Sequence, residues 1–248
     1  RQFLKSTAAI TAFTILPRNV LGGKGFIAPS DQLTKGIIGF GGIGRGHHFN
    51  LPDRLVAVCD VDQTRLKRGE DMAREAGFGQ VACYHDFMDL INDPNVDIVH
   101  ICTPPHWHAI MSIEAAKAGK HIFCEKPIDH DLGKIESVIQ AVKASGVKYQ
   151  VGFNRRFDHN FEAIRKATLA GKVGDVQFVR VSSRDPNPPA PQYVAVSGGI
   201  FLDMMIHDID IILSLVKSEI ASIRAMGRRV RSGHEDLALA QIAFKSGT

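Results

Sequence analysis

The chain has 248 residues, 44% hydrophobic and 23% charged, a composition of ordinary globular proteins rather than of disordered or fibrous ones. Its net charge of +4 does not make a nucleic-acid surface: Arg1, Lys5, Arg18 and Lys24 meet no acid within residues 1–30, and the other 26 basic residues balance 26 acidic ones. No run reaches the roughly 18 apolar residues that a membrane span needs.

The opening stretch, RQFLKSTAAITAFTIL, places basic residues before a short apolar, Ala/Thr-rich segment without acids, the pattern of an export leader. It resembles a twin-arginine leader of which only Arg1 is visible, and it predicts a leader or linker over residues 1–30 and an exported, periplasmic protein. A plain N-terminal arm is the other reading of the same residues, and with it a cytoplasmic protein.

Strand and helix patterns then alternate. KGIIGF (35–40), RLVAVCD (54–60), QVACY (80–84), VDIVHICT (96–103), HIFCE (121–125) and KYQVGF (148–153) read as strands. The fourth is unbroken and β-branched, as a strand covered on both faces should be. Helical patterns run from Val61 to Ala76, from His106 to Ala118 and from Leu132 to Ala144. Strict alternation with short glycine-marked joints predicts an α/β fold, a doubly wound parallel sheet over residues 31–150.

After residue 150 the rhythm changes. Phe161 to Ala170 reads as a helix, and DVQFVRVSSR (175–184) alternates like a half-exposed strand. DPNPPAP (185–191) reads as a loop, a helix follows up to Leu215, and residues 220–230 and 236–248 read as antiparallel strands. This is an α+β open-sheet domain over 151–248, expected to be partial because it stops at a turn signal with an uncovered sheet. Cys59, Cys83, Cys102 and Cys124 each lie in or beside an apolar strand-like run and read as small buried hydrophobes.

Three places carry chemistry. GFGGIG, residues Gly39, Phe40, Gly41, Gly42, Ile43 and Gly44, follows a strand and precedes a helical stretch, and a second strand ends in Asp60, 21 residues after Gly39. That combination is a dinucleotide fingerprint, with a glycine-rich turn for the pyrophosphate and an acid for the adenosine ribose. A carboxylate at Asp60 repels a 2′-phosphate, which favours NAD over NADP. A glycine-rich turn without nucleotide is the bland reading. Thr103, Pro104 and Pro105 border the cofactor at the end of the fourth strand; His106 and His108 are ligands there or simply cap a helix. Glu125 and Lys126 lie on the same rim, at the end of the fifth strand.

The third place is SGGIFLDMMIHDIDIILSLV (197–216), where Asp203, His207 and Asp210 fall at i, i+4 and i+7 on an apolar helix. Buried charges without partners are expensive, so this stripe should face a polar partner, a cavity or a metal. Gly198 and Gly199 fit a close approach of the chain to a ligand at the helix entrance.

GFGGIG, Asp60, TPPHWH (103–108), EKP (125–127) and GGIFLDMMIHDID (198–210) follow one another as in the Gfo/Idh/MocA oxidoreductases, which the chain resembles over about residues 35–248. NRRFD (154–158) and SRDPNPP (183–189) are most similar to the inositol 2-dehydrogenases among them. The resemblance implies Lys126, Asp203 and His207 as catalytic residues. It implies oxidation of a secondary hydroxyl on a cyclic polyol or sugar, myo-inositol-like, and a homo-oligomer. His207 would be the general base, Lys126 would stabilise the alkoxide, and Asp203 would orient the imidazole or bind a second hydroxyl. Arg156, Asn187 and Asp210 are further candidates for substrate contacts, with a salt bridge as the alternative for Arg155 and Arg156. Three rivals stay open: zinc held by Asp203 and His207, which lack an evident third ligand; an NAD-dependent glycosidase; and a non-catalytic sugar-binding protein.

Overall fold

The computed structural model describes residues 27–28, 31–46, 54–187, 189–230 and 233–248. Residues 1–26 of the leader expected over 1–30, and the helix expected after the glycine loop beyond residue 46, lie outside the described residues. The chain divides into residues 1–33 and residues 34–248, and the elements below belong to the second unit.

Six parallel strands form the first sheet: β1 (Thr34–Ile38), β2 (Arg54–Cys59), β3 (Ala82–Tyr84), β4 (Ile98–Ile101), β5 (His121–Cys124) and β6 (Tyr149–Val151). Their order is β3-β2-β1-β4-β5-β6, so the chain starts at the centre and winds outward both ways. The reversal falls between β1 and β4. Loops leaving the carboxyl ends of these two strands diverge there and open a crevice, the place where such sheets take ligands.

Side chains alternate across the strands. Ile37 joins Leu55, Val58 and Leu66 on one face, whereas Ile38 joins Ala57, Val99, Ile101 and Ile122 on the other. Helix α1 (Gln63–Glu75) covers the first face with Leu66 and Ala73. Helices α2 (Phe87–Asn92) and α3 (His108–Lys117) cover the second with Leu90, Ile91, Met111 and Ala115. Each large aliphatic side chain buried this way contributes about 1.5–3 kcal/mol. Helix α4 (Leu132–Ser145) begins at Asp131, whose carboxylate accepts from the Lys134 N–H at 3.1 Å, and ends at Gly146 in the left-handed region. The short α2 carries no sequence expectation, since six residues are too few to show a helical period.

The second part contains α5 (His159–Leu169), α6 (Pro191–Ser197), α7 (Ile206–Leu215) and an antiparallel pair, β7 (Ile220–Arg228) and β8 (Leu237–Phe244). Three expectations need correction here. Residues 175–184 form no strand, because alternation supplies a face but no neighbouring strand pairs with them among the described residues. The loop ends earlier than its prolines suggest, since α6 starts at Pro191. The expected helix up to Leu215 opens with a π turn, Phe201–Met205, before α7 proper. All four cysteines are free; Cys59 and Cys124 are buried as expected, Cys102 is only half-buried, and Cys83 is exposed because it lies on β3 at the sheet edge. No helix among the described residues is long and apolar enough to cross a membrane.

Candidate active site

The glycine loop turns directly off β1. Gly39 has φ 89°, and a Cβ there would lie 2.8 Å from the Cys102 backbone. A Cβ on Gly44 would lie 1.9 Å from the Gly39 carbonyl oxygen, so the turn closes only without a side chain. Gly41 and Gly42 have open space where a Cβ would be, which leaves their backbone free for close approach of a pyrophosphate. Ile43 is half exposed beside them.

Asp60, 6% exposed at the end of β2, accepts from the Phe40 N–H at 2.8 Å and from the Asp62 N–H at 2.9 Å. It ties the loop to β2, and a carboxylate retains further lone pairs for ribose hydroxyls. These features fit a dinucleotide: a side-chain-free cradle closed by steric necessity and an anion where a 2′-phosphate would sit. Phe40 is a correction, because its ring is buried against Gly69 and its N–H is already given to Asp60.

His108 is also placed differently from a ligand. It is 1% exposed, with Nδ1 2.7 Å from the Pro127 carbonyl oxygen and Nε2 2.6 Å from the Thr103 carbonyl oxygen. The ring clamps the loop after β4 to the loop after β5, and neither nitrogen is left for a cofactor. Burial draws its pKa down, against the pull of the two carbonyls and of the Glu125 and Asp129 carboxylates. Thr103 also gives its hydroxyl to the Met111 sulfur at 3.6 Å. Pro104 and the turn Pro105–Trp107 then lead into α3.

The clamp holds the segment that carries Lys126. Lys126 Nζ donates to the Asp203 carboxylate Oδ1 and to the Asp203 main-chain oxygen, both at 2.7 Å. Their side chains are only 10% and 17% exposed. This ion pair joins the rim of the parallel sheet to the π turn before α7. Glu125 lies against Gly152 at the end of β6, where a Cβ would meet its carboxylate at about 3.0 Å.

One turn after Asp203, His207 stands edge-on to Phe153, with ring centroids 6.3 Å apart. Its Nδ1 is buried without a hydrogen-bond partner, which leaves Nε2 to meet a hydroxyl. Burial lowers the His207 pKa most, the Lys126 and Arg155 charges lower it further, and Glu125 and Asp203 oppose them. The imidazole is therefore neutral and able to take a proton near neutral pH.

The other carboxylates of the stripe have partners of their own. Asp210, 8% exposed, takes a two-pronged bond from Arg156, Nε to Oδ2 at 2.7 Å and Nη2 to Oδ1 at 2.6 Å. Asp208 pairs with Arg155 and accepts from the Ser183 hydroxyl at 2.7 Å. Arg156 thus forms the salt bridge that is the alternative reading for it: the fork to Asp210 engages Nε and Nη2, and the guanidinium has further N–H donors on Nη1. Asn187 is exposed and makes no hydrogen bond among the described residues. Gly198 makes room for a side chain rather than a ligand, since a Cβ would meet His130 Nε2 at 2.6 Å. Asp203 already faces a lysine, a repulsive neighbour for a metal ion at that carboxylate.

Sequence reasoning missed Tyr193, on α6, whose hydroxyl donates to Asp203 Oδ1 at 2.8 Å. Nothing in its local sequence marks it, because the contact depends on how α6 folds back over the π turn.

A parallel sheet in this order, a glycine cradle at its reversal and an ionisable cluster on the same rim define a Rossmann-fold dinucleotide protein with a reaction site beside the cofactor crevice. Comparison with known proteins agrees. Residues 33–153 match the family described as "Oxidoreductase family, NAD-binding Rossmann fold", and residues 161–248 match the Gfo/Idh/MocA C-terminal domain. The chain belongs to the Gfo/Idh/MocA oxidoreductase family. It is 39% identical over 222 residues to a myo-inositol 2-dehydrogenase of Thermotoga maritima, covering 86% of this chain and 65% of that one. It is 42% identical over 195 residues to an inositol 2-dehydrogenase of Rhizobium meliloti, covering 77% of this chain and 57% of the relative. The crystal structure of scyllo-inositol dehydrogenase from Lactobacillus casei with bound NAD(H) and scyllo-inositol superposes with a TM-score of 0.76 at 31% identity, covering 88% of this chain and 67% of that one. The chain spans 65% of the length of the first curated relatives it matches.

Proposed function

We propose that the protein oxidises a secondary hydroxyl of a cyclic polyol, myo-inositol or a close stereochemical relative. The observation that carries this reading is the Lys126–Asp203 pair at 2.7 Å on the rim of the cofactor crevice, with a neutral His207 beside it. Relatives named as inositol dehydrogenases, over most of this chain, supply the substrate class.

NAD, held by the Gly39–Gly44 cradle and Asp60, supplies the hydride acceptor when bound. The residues of the chain then have distinct tasks. His207 Nε2 takes the hydroxyl proton. Lys126 places its ammonium where negative charge grows on the carbinol oxygen. Asp203 fixes that ammonium through two bonds and offers its second carboxylate oxygen to the polyol. The test is a panel of inositols and sugars with NAD and the purified full chain. NADH formation with an inositol, lost in both Lys126→Ala and His207→Ala, supports the reading. Glycoside hydrolysis without NADH accumulation would replace it by the glycosidase reading, and activity lost to a chelator and restored by zinc would replace it by the metal reading.

Three further proposals accompany it. Residues 31–150 and 151–248 serve as cofactor and substrate domains. Residues 1–30 act as an export leader, checked by locating the mature protein in the periplasm or the cytoplasm. The protein is a homo-oligomer, supported by the exposed Ile223, Met226, Leu237 and Leu239 on β7 and β8 and checked by its mass in solution.

A further inference from the structure

We infer that Tyr193 is a positioning residue that fixes the Asp203 carboxylate and thereby favours substrates with a second hydroxyl beside the one oxidised. This rests on the polyol dehydrogenase reading and adds to it a residue outside the lysine, aspartate and histidine set.

Asp203 Oδ1 receives two donors, Lys126 Nζ at 2.7 Å and the Tyr193 hydroxyl at 2.8 Å. Oδ2 receives none among the described residues and is not sealed in the interior. A carboxylate with one oxygen doubly held cannot rotate freely, so its other oxygen points in one direction. That oxygen accepts only, and its natural partner is a hydroxyl of a bound polyol. The oxidised hydroxyl belongs to His207 and Lys126, so the hydroxyl that Asp203 can accept from is a neighbour on the ring.

The two donors come from different layers. Lys126 rides on the loop after β5, whereas Tyr193 sits in the first turn of α6, where its N–H bonds the Ala190 carbonyl at 2.9 Å. Tyr193 is 41% exposed, so its ring borders the cleft instead of filling the core. Its phenol is held in the protonated, donating form: burial, the bond to Asp203 and the charges of Asp203 and Glu125 all raise its pKa. Lys126 is the cation facing the same carboxylate.

Tyr193→Phe keeps the ring and removes the hydroxyl. With a vicinal polyol such as myo-inositol, kcat/KM should fall by roughly tenfold, the scale of one charge-assisted hydrogen bond, mostly through KM. With a cyclic alcohol bearing one hydroxyl it should change by less than about twofold, since Asp203 then has nothing to accept from. Equal losses on both substrates, or none on either, would overturn the inference. A second measurement needs no activity. The chain has three tyrosines, so the difference in phenolate absorbance between the parent protein and Tyr193→Phe isolates the titration of Tyr193. That titration should lie above the ordinary phenol range and drop in Asp203→Asn. A phenol that titrates normally, or is indifferent to Asp203→Asn, overturns the contact. If the parent protein oxidises no polyol, the function reading fails, and the phenol titration decides the contact by itself.

Discussion

Replacing Lys126 with Met retains most of the side-chain volume and deletes the charge that Asp203 faces. At 2.7 Å and an effective dielectric of about 20, the Coulomb attraction of the pair is about 6 kcal/mol. Desolvation of both partners offsets much of it, but removing one partner strands the other, and a loss of about 3 kcal/mol is typical. Tyr193 still donates to Asp203 in the variant, so the loss should not exceed that figure. For a chain of this size, about 3 kcal/mol lowers Tm by roughly 6–12 °C. Loss of the group that meets the developing alkoxide should also cost about 10²–10³ in kcat. The assay is thermal unfolding of Lys126→Met, Asp203→Asn and the double variant, with steady-state rates beside it. If the pair is real, the Lys126 substitution costs much less once Asp203 is already neutral. Additive losses, or a Lys126→Met protein with unchanged Tm and a rate within threefold of the parent, would refute the reasoning.

Three other outcomes follow from the geometry. Gly41→Ala should fold with unchanged Tm yet bind NAD at least about tenfold more weakly, as its methyl enters open space. Gly44→Ala should lose stability outright, because its methyl would meet the Gly39 carbonyl; calorimetry with a cofactor titration separates the two. His108→Leu should destabilise by about 1–3 kcal/mol in denaturant unfolding, since an aliphatic side chain donates to neither the Pro127 nor the Thr103 carbonyl. The pKa of His207 is lowered, so the base is active above that pKa and kcat/KM falls as pH drops through it. The acid limb of the pH profile should therefore lie below about 6.5, and in Lys126→Met it should move up.

Much of this site was legible in the sequence because its physical demands are local. Gly39 and Gly44 are forced by backbone collisions, and β4 shows in its β-branched Ile98, Val99 and Ile101, with the buried His100 among them. The stripe of Asp203, His207 and Asp210 raised a question about charge that Lys126 and Arg156 now answer. What stayed illegible depended on partners distant in sequence. Arg156 and Asp210 are 54 residues apart, and only the packing of α7 against the turn Asn154–Phe157 shows that they belong together. His108 resembled a ligand because its chemistry is that of a ligand, while its position between two carbonyls is set by the fold. The alternation of 175–184 satisfied a strand's pattern, but a strand exists only where another pairs with it. Tyr193 belongs to no motif and is found only by its contact.

The most direct test of the central claim follows the hydrogen. The full chain, NAD and myo-inositol deuterated at each ring carbon in turn would be carried through a single turnover. The account predicts that one labelled position delivers deuterium to the nicotinamide of NADH with a slowed hydride step, and that His207→Ala abolishes the transfer. Turnover that leaves every label on the sugar ring, or transfer that persists without His207, would contradict it.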